Sequence, residues 1–157
     1  MTSQKHHKTP LNEEYPTCNE CWASFNIISD SVNPDKITEK LNIKPTRQNK
    51  KGDLFVNVLN KSTQKVINGW FIESEGVIKS KDLRDHVDYV LDFLVPIKDK
   101  ILEIQKWDDI KMTLTCSWWG FMHCGPTLWP VQLEKMSMLN IAIEIYFASY
   151  ANDRDNN

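Results

Sequence analysis

The chain has 157 residues, 41% of them hydrophobic and six of them tryptophan, which is enough to build one domain around a sizeable core. Nineteen basic residues against twenty-one acidic ones leave a formal charge of −2, so no global field draws the protein to nucleic acid or to an anionic membrane. The longest apolar runs, around Ile141 to Ala148, are broken by Glu144 and are too short to span a bilayer.

Residues 1–17 are polar, carry two prolines and lack the apolar stretch of a secretory signal. They read as a flexible arm ahead of a single domain over residues 18–150, with 151–157 as a flexible tail. A cytoplasmic protein with reduced cysteines is expected, because the chain exceeds the size at which disulfides replace a core.

From Trp22 to Ser29, Ala23, Phe25 and Ile27 alternate with Ser24 and Asn26, the period of a half-buried strand. Asn33 followed by Pro34 is a cap and first helical position, and Ile37 and Leu41 give a short helix ending near Asn42. Lys44-Pro45 stops it. Leu54 to Leu59 and Val66 to Ile72 predict a hairpin joined by the polar stretch 60–65.

From Lys81 the period becomes helical, with Leu83, Val87, Val90, Leu91 and Leu94 on one face and Arg84, Asp85, Asp88 and Asp92 on the other; His86 also falls on the polar side. Ser80 is the expected cap. Pro96 interrupts the helix, and Ile97, Ile101 and Ile104 resume the stripe to about Lys106.

Lys111 to Trp119 returns to period two, placing Met112, Leu114, Cys116 and Trp118 inward and Thr113, Thr115, Ser117 and Trp119 outward. Pro130 to Leu139 predicts a helix, and Ile141 to Phe147 a last strand whose Ile141, Ile143, Ile145 and Phe147 oppose Ala142, Glu144 and Tyr146. The expected fold is α+β: two layers, a mostly antiparallel sheet of about five strands with helices on one face, a variant of the ferredoxin-like plan. Its expected core holds Phe25, Ile27, Leu41, Trp70, Val87, Leu91, Leu94, Ile101, Leu114, Trp118, Ile143 and Ile145.

Several short motifs in order carry a family resemblance: Lys44-Pro45-Thr46-Arg47, Lys51-Gly52-Asp53, the Trp70 strand, the helix through Leu83 to Leu94, Cys116-Ser117-Trp118, Gly125-Pro126-Thr127-Leu128-Trp129-Pro130 and Ile143 to Phe147. Over about residues 21–150 the chain resembles the bacterial domain-of-unknown-function family 4279. Cys124-Gly125 stands where that family usually pairs two glycines before the proline. The resemblance implies a small intracellular bacterial protein with no established reaction.

Chemistry-bearing patterns are sparse. Five glycines are scattered singly, so neither a phosphate-cradling loop nor a Gly-x-Ser-x-Gly elbow exists. Cys18-Asn19-Glu20-Cys21-Trp22 superficially matches a thiol-protease pattern, but alternation from Trp22 places Cys21 at a strand rather than at a helix N-terminus. Cys18 and Cys21 have zinc-knuckle spacing, and His123 with Cys124 is the weak second pair; a zinc-supported fold is one alternative. No cofactor is expected, and enzymatic activity is the minority reading.

Between Asp35 and Lys65, eight bases face three acids, and within that segment Arg47, stiffened by Pro45, is aimed to meet a carboxylate, either a partner's or an internal one such as Asp53. On the outward face of the late strands, Trp119 and Tyr146 stand among hydroxyls, with Trp118, His123, Gly125, Pro126 and Trp129 close in sequence. Aromatics among hydroxyls supply contact area at small entropic cost. The expected function is non-catalytic protein binding through this face and the loop 120–130, with Trp119 and Trp129 as anchors. An immunity-type protein that neutralises a toxin is the specific analogue. The alternative is a small anionic ligand under that loop, held by Arg47 and flanked by Trp118 or Trp119.

Overall fold

The computed structural model describes residues 10–121 and 124–149. Its main body is a five-stranded sheet in the order β2-β5-β1-β6-β7, built from β1 (Cys18–Ser29), β2 (Arg47–Asn49), β5 (Asn68–Glu73), β6 (Lys111–Gly120) and β7 (Ala142–Ser149). A separate ribbon pairs β3 (Leu54–Val56) with β4 (Ser62–Gln64). The helices are α1 (Pro34–Leu41), α2 (Leu83–Leu94), α3 (Lys98–Ile104) and α4 (Pro130–Leu139), with a 3₁₀ turn over Val95–Ile97 between α2 and α3. All sheet pairs are antiparallel except β6 with β7. The fold is α+β, and it departs from a plain β-α-β-β-α-β plan by the added α4–β7 crossover.

Local chemistry accounts for the element boundaries. Asn33 caps α1 by accepting the Asp35 N–H, Pro34 takes the first turn, and Asn42 closes the helix in the left-handed region. Pro96 ends α2 and forces the 3₁₀ turn from which α3 starts.

The core lies between the helices and one sheet face. Ala23, Phe25, Ile27, Trp70, Ile72, Leu114, Cys116 and Trp118 meet Leu83, Val87, Val90, Leu91, Leu94, Ile101 and Ile104, all buried. Ten of the twelve expected core residues are there. Ile143 is half-buried and Ile145 is exposed, because their strand is the edge of the sheet. Their alternation was read correctly, but only one neighbouring strand shields them.

Three further expectations need correction. The predicted hairpin of two long strands is a short isolated ribbon, with Leu54, Val56, Val58, Leu59 and Val66 all exposed; Trp70 belongs instead to a strand that pairs with β1 and β2. Asp82, not Ser80, caps α2. Arg84 and His86, expected on a solvent face, are buried.

That burial comes from the stretch preceding β1. Asn12 N–H donates to Asp82 (3.0 Å), Lys81 N–H to Glu13 O (2.8 Å), and Arg84 donates to Pro10 O (2.9 Å). Tyr15 meets Trp118 edge-on at 5.3 Å. Residues 10–17 are thus tied to the start of α2.

Candidate functional site

The sheet has two unlike faces. Cross-strand register aligns Trp22 with Ser117, Ser24 with Thr115 and Asn26 with Thr113 across β1 and β6, then Ser117 with Tyr146 and Thr115 with Glu144 across β6 and β7. All of these project away from the helices, because their neighbours Ala23, Phe25, Leu114, Cys116 and Trp118 fill the core. Among the described residues, no helix covers this second face.

Its centre is a hydroxyl and amide network: Asn26 Nδ2 donates to Thr115 Oγ1 at 2.7 Å, and Ser24 Oγ to Asn26 Oδ1 at 2.6 Å. Above it Trp22 stacks on Trp119 at 6.3 Å and 22°. Trp119 is 36% exposed and Tyr146 60% exposed, the latter donating to Glu144 at 3.2 Å. The result is an open platform, aromatic at one end and polar in the middle.

The opposite end of the platform holds Arg47. Its Nε and Nη2 grip Glu73 at 3.2 and 2.7 Å, and its guanidinium lies over Phe71 at 3.8 Å. The carboxylate it was expected to meet is therefore internal. Arg47 pairs with Phe71, which pairs with Asn26, which pairs with Thr113, so it stands three strands, about 14 Å, from β6 and a further six residues, about 20 Å, along it from Trp119. It does not share a small-molecule site with the tryptophans. Other bases of that segment are also paired: Lys40 with Glu103, Lys50 with Asp35 and Lys51 with Asp30.

The remaining predicted residues separate. Trp118 is buried on the helix side. Trp129 caps α4, with the Arg84 guanidinium 4.2 Å over its ring; it sits with the helix layer and not on the face that carries Trp119. Gly125 passes Phe147 so closely that a Cβ would sit 2.9 Å from the ring. Pro126 is half-buried in the same loop, and Cys124 is exposed. His123 lies outside the described residues.

Cys18 and Cys21 are buried and adjacent on β1, where an irregular register between Cys18 and Glu20 turns both inward. The Cys21 thiol donates to Ser80 O at 3.8 Å; interaction between the two thiols lowers the Cys18 pKa and raises that of Cys21, and burial pushes Cys116 up to about 12. None is a ready thiolate nucleophile of the accessible, electropositive kind. Among the described residues, no group of three or more His, Cys, Asp or Glu side chains is arranged to hold a metal.

Sequence reasoning missed a buried polar cluster. Arg84 makes a bidentate pair with Asp82, both within 1% of full burial. Burial opposes ionisation of Asp82, but hydrogen bonds from Arg84 and the Asn12 N–H outweigh it and hold the carboxyl below its usual range. His86 lies 2.8 Å from Ser74 Oγ and donates Nε2–H to Ser80 O at 2.7 Å, and burial lowers its pKa. Gln132 links the two helices by donating to Asp88 at 2.9 Å. These contacts brace α2 and α4; they face no open cavity as a set. Trp22 was also missed as a partner of Trp119, although its parity with Ser24 and Asn26 marks the same face.

The family model described as Domain of unknown function (DUF4279) matches residues 17–150. The chain belongs to the DUF4279 family. No curated protein and no solved structure matches it. DUF4279 membership therefore agrees with the resemblance read from the motifs and adds no reaction. Among the described residues, no helix is long and apolar enough to cross a membrane.

Proposed function

We propose that this DUF4279 protein is a non-catalytic binding module that docks another protein on the open face of its sheet, in the manner of an immunity-type protein neutralising a toxin. The observation that carries this reading is the stacked Trp22–Trp119 pair, set beside Tyr146 and a row of hydroxyls on a face that the described helices leave uncovered. Stiff aromatics of this sort lose little entropy on binding and dominate protein interfaces. An open sheet face suits a macromolecule better than it suits a small ligand, which favours a concave site. Trp119→Ala is expected to weaken a partner's affinity at least tenfold, about 1.4 kcal/mol, as read by titration calorimetry. Unchanged affinity contradicts the reading.

A small-ligand reading has one specific support. A cavity of about 510 Å³ lies beside Cys124, lined by Leu11, Tyr15 and Thr17 among others. The buried Thr17 hydroxyl and Trp118 indole N–H have no hydrogen-bond partner among the described residues. A thermal-shift screen of small metabolites separates the two readings: a ligand well above its Kd raises the melting temperature, whereas silence favours the open face.

A further inference from the structure

The two edges of the sheet are built differently. At one edge β2 has only three residues, Arg47, Gln48 and Asn49, all polar. Short polar edges of this type are protected against pairing. At the other edge β7 runs for eight residues and contains no lysine, proline or glycine. Its Ile145, Tyr146 and Phe147 are 42%, 60% and 63% exposed. Among the described residues no strand lies beyond it, so its outer row of N–H and C=O groups is a template for another strand.

We infer that β7 pairs antiparallel with β7 of a second copy of this chain, about a two-fold axis normal to the sheet, to give one continuous ten-stranded sheet. Such an axis keeps each sheet face on its own side, so a residue opposes one of equal parity. The only charge on the strand, Glu144, then selects the register. Centring the axis on Glu144 opposes two carboxylates. Centring it on Ile145 opposes Ile143 with Phe147 and sets Glu144 against Tyr146 of the second copy, whose hydroxyl already bonds this type of carboxylate within one chain. That register also uses nearly the whole strand.

Helix α4 extends the contact. Gln132 and Lys135 reach Asp88 on α2, and at 100° per residue Leu133 falls on the opposite flank, 48% exposed. This pairing leaves Trp22 and Trp119 uncovered, so it stands or falls apart from the docking function proposed above.

Sedimentation velocity of the full chain tests it. A species of twice 18.3 kDa is expected, and a monomer at the highest soluble concentration overturns the inference. Ile145→Lys opposes two ammonium groups across the axis and is expected to give a monomer with unchanged far-UV circular dichroism; a persisting dimer overturns it. If Ile145→Lys fails to fold, cysteine pairing decides instead. In a Cys124→Ser background, Ile145→Cys is expected to oxidise to a linked dimer, because directly opposed Cα atoms stand about 4.5–5.5 Å apart, within disulfide reach. Glu144→Cys, out of register with its own copy, is expected to remain unlinked. Linkage at 144 and not at 145 contradicts the pairing.

Discussion

Trp118 and Trp119 are neighbours in the chain and opposites in the fold. Trp118 is 1% exposed beneath the helices, while Trp119 is 36% exposed and stacked on Trp22 across the sheet. Period-two geometry alone separates them. The helix-covered face holds the molecule together, and the open face has spare aromatic area. That difference is what motivates the docking face proposed above.

Trp118→Ala is expected to cost about 3–5 kcal/mol by urea denaturation. Arg84→Met strands the buried Asp82 carboxylate and is expected to cost a similar amount, about 3–5 kcal/mol. Gly120→Ala places a Cβ 2.5 Å from the Trp118 indole nitrogen and 2.6 Å from Thr17 O; about 1–3 kcal/mol is expected to be lost through overpacking.

Burial lowers the folded pKa of His86 below its ordinary 6.5, so the unfolded chain takes up the proton first as pH falls. His86 thus contributes stability that is present above pH 6.5 and lost as pH drops toward the folded value. Melting temperatures across that range are expected to decline for the native protein and to flatten for His86→Gln. On the open face, Trp119→Ala is expected to change stability by about 1 kcal/mol or less, which makes it a clean probe of binding.

Period-two and helical patterns located every long element, because alternation and the 3.6-residue stripe follow directly from which face is buried. They did not show the packing of residues 10–17 against α2. A polar arm has no apolar signature, and its backbone hydrogen bonds to Asp82 and Arg84 leave no trace in composition. For the same reason Arg84 and His86 read as solvent-facing when the start of α2 is roofed over. Trp129 misled in the other direction: an aromatic in a loop looks like an anchor, yet it is the platform on which Arg84 lies. The Trp22–Trp119 stack was legible in parity, but its closeness depends on the β1–β6 register, which only the folded sheet shows.

Hydroxyl-radical footprinting, read residue by residue in the free protein and in its complex with a bound partner protein, tests the open-face claim most directly. Trp22, Trp119 and Tyr146 are expected to be oxidised in the free protein and several-fold less in the complex, with Trp118 unreactive in both. Continued oxidation of Trp119 and Tyr146 in the complex, with protection appearing on the helix layer instead, contradicts it.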